Sequence, residues 1–360
     1  MTVSSMTSSP VTSHPVARVI CVGQAVFDHR FMVNQIPATP TKVLAHDYLG
    51  LPGGMASGAA ITAARLGAQT HLITRMGSDP MADLLMQCFA AEGIQCAASC
   101  RVANRRTAVS AVVIDAHGER QIIHAPTDAF EHGARLTADD LAALLNRDSV
   151  PTVMVCDPRW PEGAKTALRF ARAHQLPSVL DADVAPAEVL LPLVALADWA
   201  IFSEAALDAL FPASTVHAQL RQALDAGARH AAVTQGENGV QWLEETDPAL
   251  HTEPHSSADD RYHTASAALR ADTNMSTTAS AAVAAATGNL TLHHLPALPL
   301  TAKDTTGAGD AFHGPFAVAL AQGKPTHDCF VFANRVAGLK VANGNGILGA
   351  PTLAELFDAG

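Results

Sequence analysis

Short apolar runs rich in β-branched residues recur along the chain at positions 16–22, 70–74, 152–156, 178–180, 199–202 and 230–234, the first stopped by Gly23. Runs of this length, set off by turn residues, predict buried strands. Between them lie segments with helical spacing at 61–67, 79–92, 163–174 and 218–226. Strands that alternate with helices imply an α/β fold whose parallel sheet is covered on both faces. Three regions depart from that rhythm. Residues 27–51 alternate irregularly around Pro37 and Pro40, which suits exposed strands and turns. Residues 108–114 and 120–124, joined by a turn at His117 and Gly118, read as a hairpin. From about 245 to 293 the chain turns polar and then alanine-rich, which predicts a largely flexible surface insertion with a short alanine helix. Its histidines, His251, His255, His263, His293 and His294, lack helical ligand spacing with acidic support and read as solvated loop.

Composition narrows the partners. The 360 residues are 48% hydrophobic, enough for a large core in one α/β domain with appendages. A formal net charge of -11 without a lysine- or arginine-rich block argues against nucleic acid and anionic membrane, leaving small molecules. Six cysteines, Cys21, Cys88, Cys96, Cys100, Cys156 and Cys329, form no CxxC pair, the pattern expected of reduced thiols in a cytoplasmic protein. Residues 1–15 have neither a signal-peptide core nor a basic amphipathic pattern and read as a disordered tail. No apolar stretch reaches the roughly 20 residues needed to cross a bilayer.

The densest chemistry lies in Asp304-Thr-Thr-Gly-Ala-Gly-Asp-Ala-Phe-His-Gly314, just before the apolar residues Phe316, Val318, Ala319 and Leu320, which predict a buried helix. Gly307 and Gly309 free the backbone for close approach of a ligand. The N–H groups of Gly307, Ala308 and Gly309 are expected to converge at the positive end of the helix dipole, an anion hole suited to phosphate or to a phosphoryl group in transit. Asp310 would repel a resident phosphate, so its expected task is to accept the proton of an attacking hydroxyl. A capping carboxylate is the alternative. In a parallel sheet, ligands bind beyond the carboxyl ends of the strands, which directs attention to Asp28, Arg159, Asp181, Asp183, Ser203, Glu204, Thr234 and Gly236.

The string DTTGAGDAFHG resembles the C-terminal signature of the ribokinase/PfkB family of sugar kinases. Independently, GGMASGAAITAARLG from Gly53 to Gly67, followed by Gly77-Ser-Asp79, resembles the family's N-terminal signature. The resemblance runs from about residue 16 to 351 apart from the insertion. It implies a ribokinase-like fold, a mainly parallel sheet flanked by helices over 16–355, with a small β-lid from about 29–52 and 101–126. Within the family, ICVGQAVFD, LPGGMASGAAITAARLGAQ, GERQIIH, DPRWPEGAK, LDADV and AIFSEAAL are most similar to 6-deoxy-6-sulfofructose kinases.

That resemblance implies ATP as phosphoryl donor, with Mg2+ bridging its phosphates. Thr234 and Gly236 match residues that contact those phosphates. Glu204 matches the glutamate that organises Mg2+ through water, although Ile201 stands where the family often has asparagine; a helix N-terminal acid is the bland alternative. Asn334 and Ala337 fall on the helix that lines the adenine site, where a small-residue core helix would explain the same letters. Asp304 and Thr306 lie in the loop that holds a monovalent cation, K+, in many relatives. Asp28 matches an aspartate that binds sugar hydroxyls, with Gly53 and Gly54 admitting the sugar to the backbone, while Ser57 and Gly58 stand where an asparagine is common. Lys42 and Arg159 match positions that bind the sulfonate, a role suited to the planar donor fork of arginine, and His124 falls where those kinases have asparagine. An ordinary surface lysine remains the alternative for Lys42. The expected activity is phosphorylation of a primary hydroxyl of an anionic ketose, 6-deoxy-6-sulfofructose first. A family kinase for fructose, ribose, a keto-deoxy acid or a sugar phosphate is the alternative, and a non-catalytic sugar- or nucleotide-binding regulator a third reading. Exposed lid edges invite pairing into a homodimer.

Overall fold

The computed structural model describes residues 17–97, 100–145, 149–245 and 290–358. Along them run β1 (Arg18–Val22), β2 (Val26–Met32), β3 (Asp47–Gly53), β4 (Gln69–Ile73), β5 (Gln95–Cys96), β6 (Val109–Ile114), β7 (Arg120–Ala125), β8 (Thr152–Cys156), β9 (Ser178–Ala182), β10 (Trp199–Ser203), β11 (His230–Thr234), β12 (Val240–Glu245) and β13 (Leu290–Leu295). β1 shows why the sheet is central. Its alternate side chains point to opposite faces: Val19 and Cys21 enter one apolar cluster, Ile20 and Val22 the other, and all are fully buried. The large sheet has the order β13-β12-β11-β10-β9-β8-β1-β4-β5. Its pairs are parallel from β11 to β5, whereas β12 and β13 add an antiparallel edge. The α/β class with a mainly parallel sheet, expected from the sequence, is therefore the one observed.

Helices cover both faces. Met55–Arg65 and Asp310–Ala321 pack with the first cluster, and Pro161–Ala173 and Ala187–Val194 with the second. The helix predicted at 61–67 begins earlier, at Met55. Residues 56–63 are all buried there, so no polar face marks the helical period. A Cβ on Gly314 would lie 2.1 Å from Thr62 Oγ1 and 2.4 Å from the Ala59 carbonyl, so glycine is what lets these two helices approach.

The smaller sheet, β3-β2-β6-β7, is the expected lid. Its hairpin β6–β7 is antiparallel as predicted, while β2 and β6 pair in parallel, Asp28 opposite Ser110. The predicted insertion is narrower than 245–293. Glu245 pairs with Leu290, and His293 and His294 belong to a strand because they face β12. His293 stacks on Trp242 with centroids 5.1 Å apart, and His294 Nε2 meets the Asn238 carbonyl at 2.8 Å, so neither is solvated loop. Residues 1–15 and 246–289, with His251, His255 and His263, lie outside the described residues. Among those described, no helix is long and apolar enough to cross a membrane.

Candidate active site

The two glycine-rich motifs, far apart in sequence, meet in space. Asp310 is the first residue of the Asp310–Ala321 helix, which lies against Met55–Arg65. A Cβ on Gly58 would fall 2.5 Å from Asp310 Cβ. The glycine at 58 therefore makes room for the carboxylate, a function the sequence alone did not reveal.

Gly307 adopts a left-handed φ of 74°, which a glycine tolerates without strain. Gly309 differs from expectation: its φ of -60° is ordinarily helical, and its contribution is the open space where a side chain would stand. Ala308 also departs from the expected anion hole, because its N–H turns back to the Thr305 carbonyl at 3.2 Å. The N–H groups of Gly307, Gly309 and Asp310 find no acceptor among the described residues and are the ones available to an anion. His313 fixes this turn from below. Its backbone N–H and Nδ1 both lie on the Gly309 carbonyl, at 3.2 and 2.8 Å, and Nδ1 is 3.4 Å from Asp181 Oδ2. A carbonyl only accepts, so Nδ1 carries the hydrogen. Because the peptide is planar, holding the Gly309 carbonyl also aims the Asp310 N–H.

The carboxylates around this turn are not ordinary. Burial, then the charge of Asp181, pushes Asp310 up to about 7, against the pull of His313. Asp181 itself is raised well above the usual range, by burial and then by Asp183 and Asp157. Asp157 is raised by burial although it accepts from the N–H groups of Gln24 at 2.8 Å, Ala56 at 3.0 Å and Arg159 at 2.8 Å. That one side chain ties together the ends of β1 and β8 and the start of the first helix. Asp157 stood in the DPRW string at a strand end, so its position was legible while its role was not.

Beside the turn lies a cavity of about 530 Å3 lined by Asp28, Gly54, Ser110, His124, Arg159, Asp183, Thr306 and Asp310, among others. Asp28, on lid strand β2, is pushed up to about 6 by burial, against the pull of Ser110 and Arg30. A Cβ on Gly53 would fall 2.2 Å from its carboxylate, and Gly54, with φ of 96°, would put one 2.6 Å from the Gln24 carbonyl. His124 Nδ1 meets Ser110 Oγ at 3.1 Å and Nε2 meets Gln24 Nε2 at 3.3 Å; burial and then Arg159 lower its pKa. Arg159 donates to Asp183 Oδ2 and the Val184 carbonyl, each at 2.8 Å. Lys42 is not brought to the cavity. It is exposed on the loop between β2 and β3, outside the lining residues, because Pro37 and Pro40 keep that connection out of the sheet.

At the end of β10, Glu204 begins the Glu204–Leu210 helix, and its Oε1 accepts from Gln235 Nε2 at 2.8 Å. Thr234 Oγ1 donates to the Phe202 carbonyl at 3.3 Å, and Gly236 opens a short turn with φ of 55°. Asn334 Nδ2 donates to the Pro296 carbonyl at 2.8 Å, which draws residues 296–300 alongside the Thr326–Asn343 helix that carries Ala337. Leu298 and Leu300, not singled out from the sequence, are 40% and 43% exposed there and flank Gly338. Among the described residues no cluster of three acidic, histidine or cysteine side chains is placed to cage a metal.

Asp304 is held by Arg30 Nη1 at 2.7 Å, Gly346 N at 2.7 Å and Thr306 N at 2.9 Å. Burial works against its ionisation, but Arg30 and Lys340 outweigh it and depress the pKa. Lys340 Nζ donates to the carbonyls of Asp304, at 3.0 Å, and Thr306, and lies 3.9 Å from Asp304 Oδ2. The residues expected to bind K+ therefore already hold a cation. Neither Arg30 nor Lys340 was singled out in the sequence.

The pfkB family carbohydrate kinase profile matches residues 16–260 and 250–353. The chain is 26% identical to ribokinase of Bacillus subtilis over 94% of its own length and 98% of the relative's. It is 26% identical to the bifunctional protein HldE of Pseudomonas aeruginosa, of which it spans 63%. A crystal structure from Agrobacterium tumefaciens, provisionally assigned as a ribokinase, superposes with a TM-score of 0.75 at 30% identity, covering 95% of this chain and 97% of that one. Ribokinase of Arabidopsis thaliana, solved with ribose and ATP, shares the fold with a TM-score of 0.69 at 20% identity, over 96% and 98% of the two chains. The chain belongs to the pfkB family of carbohydrate kinases, phosphotransferases whose acceptor is an alcohol.

Proposed function

We propose that the protein transfers the γ-phosphoryl group of ATP to a primary hydroxyl of an anionic ketose, with 6-deoxy-6-sulfofructose, giving its 1-phosphate, as the leading substrate. The observation that carries this reading is that Asp310, Asp28 and Arg159 line one cavity, and Arg159 is the sole lysine or arginine among its lining residues. Asp310 accepts the hydroxyl proton as the oxygen attacks phosphorus. A pKa near 7 suits that task, since a base is most effective when its pKa lies near the working pH. The free N–H groups of Gly307, Gly309 and Asp310 meet the charge that develops on the phosphoryl oxygens. Asp28 and the backbone at Gly53 and Gly54 hold sugar hydroxyls, and His124 and Arg159 receive the anionic end once Arg159 exchanges Asp183 for it.

The nucleotide side follows from the same placement. Thr234 and Gly236 lie at the end of β11 beside Glu204, and the strip between the helix bearing Asn334 and Ala337 and the exposed Leu298 and Leu300 offers an apolar bed for adenine. Mg2+ fits a site of this composition: it retains water and takes most of its ligands from phosphates, so Glu204 suffices as protein partner. When bound, it neutralises phosphate charge. Strand β7, exposed along its length with Ile123 64% exposed, supports lid-to-lid pairing in a homodimer.

A second reading, a kinase for a neutral sugar such as ribose, is favoured by two observations. Arg159 is already neutralised by Asp183, and Lys42 lies away from the cavity. Steady-state turnover with ribose, fructose, fructose 6-phosphate and 6-deoxy-6-sulfofructose separates the readings. The first requires kcat/KM to be highest for the sulfonate and to fall at least tenfold there, but not for fructose, in Arg159→Met. A preference for a neutral sugar refutes it.

A further inference from the structure

We propose that the Lys340 ammonium is the resident cation of the anion-hole loop, so that this kinase needs no monovalent metal ion. The inference rests on the phosphoryl-transfer reading of that loop. Lys340 stands in the last turn of the Thr326–Asn343 helix and is fully buried. An ammonium taken out of water survives only where oxygen atoms replace its hydration. Here two of its three hydrogens meet the Asp304 and Thr306 carbonyls, and the Asp304 carboxylate lies at ion-pair distance.

Carbonyl and carboxylate oxygens are also what a potassium ion takes as ligands. Potassium and ammonium are close in size and carry the same charge, so the two compete for the same oxygens. The lysine has the advantage of being covalently delivered and so loses no translational freedom on binding. Its charge is not cancelled locally. Asp304 also pairs with the buried Arg30, which leaves two cations to one carboxylate directly behind the amides of Gly307, Gly309 and Asp310. The groups that face the ammonium are Asp304 and Asp310, which favour its charge, and Arg30 and Arg120, which oppose it. Burial, the largest influence, and then Arg30 bring the pKa down to about 8, so the charge is present at neutral pH.

The test needs no sugar, so its failure is distinct from a wrong choice of acceptor. Melting temperature and calorimetric affinity for Mg2+ with a nonhydrolysable ATP analogue are measured in choline, Na+ and K+ chloride at equal ionic strength. The full-length wild-type protein is expected to give the same values in all three, and a K+-selective rise of several degrees or a K+-selective gain in affinity overturns the proposal. Lys340→Met, which keeps the side-chain bulk and removes the charge, is expected to weaken analogue binding roughly tenfold, the effect of a unit charge about 10 Å away at an effective dielectric near 20. Unchanged affinity in this variant overturns it as well. Lys340→Ala opens the space and is expected to become selectively stabilised by K+ and by ammonium, by mass action on the new site; an equal response to choline counts against the assignment. Should the alanine variant fail to fold, the wild-type and methionine measurements decide.

Discussion

Replacing Asp310 by Asn tests the base and its surroundings together. Folding raises this carboxyl from the ordinary 3.8 to about 7, chiefly by burial and then by Asp181. Each pH unit of that difference is worth about 1.4 kcal/mol, so ionising Asp310 costs the folded protein at most about 4 kcal/mol. Access of water through the cavity brings this nearer to about 2 kcal/mol. The sign follows from linkage. A carboxyl whose folded pKa is raised binds its proton more tightly in the native state, so it carries no penalty below about 4. The penalty grows as pH rises towards 7 and is constant above that. Asp310→Asn, which cannot ionise, should thus match the wild type near pH 4 and exceed it by about 2 kcal/mol at pH 8, as read by urea unfolding at a series of pH values. Asp181 and Asp157 share the field, so the rise is spread over more than one pH unit. Turnover in the same variant should drop by about 10²–10⁴, with affinity for the ATP analogue retained. A stability difference independent of pH would refute the electrostatic account, and undiminished turnover would refute the assignment of the base.

Three further outcomes follow from the packing. Gly58→Ala should lower kcat at least tenfold with little change in nucleotide affinity, because its Cβ would press on Asp310; an unaltered kcat in steady-state assays would show that the carboxylate has room to move. His313→Asn retains a donor for the Gly309 carbonyl, whereas His313→Leu, of similar size, does not, so kcat should survive far better in the asparagine variant, and equal losses would dismiss the hydrogen bond. Arg30→Met should destabilise the protein by about 3–5 kcal/mol by leaving the buried Asp304 with one cation fewer, and this cost should shrink when Asp304→Asn is combined with it in a double-mutant cycle.

What could be read from the chain depended on how locally each feature is encoded. The strand at 152–156 needed only its own apolar run and appears with those bounds, as β8. The DTTGAGD turn was legible because glycine and carboxylate chemistry is packed into a few adjacent residues. By contrast, the clasp of Arg30 on Asp304 joins a lid strand to a loop 274 positions later, and a lone arginine in an alternating strand announces no partner. Lys340 left a fainter mark, a cation spaced with Ala333 and Val336 on the buried side of a helix, which could have been noticed. The free N–H at Asp310, rather than at Ala308, depends on how tightly one turn closes, and letters do not carry that. Lys42 was placed by likeness to a motif, and its loop carries it elsewhere.

The division of the cavity between two sheets has an evolutionary consequence. The base, its glycine clearance and the amide turn belong to the body, where a Cβ on Gly58 would collide with Asp310 and one on Gly314 with Thr62 and the Ala59 carbonyl. Ser110, Ile122 and His124 reach the same cavity from the lid, on the smaller sheet, whose outer strand β7 is exposed along its length. On the proposed acceptor assignment, mutations there would alter which sugar is accepted while leaving the phosphoryl-transfer turn untouched. Substrate range is free to drift through the lid while the reaction stays the same, which makes this scaffold a ready source of new sugar kinases.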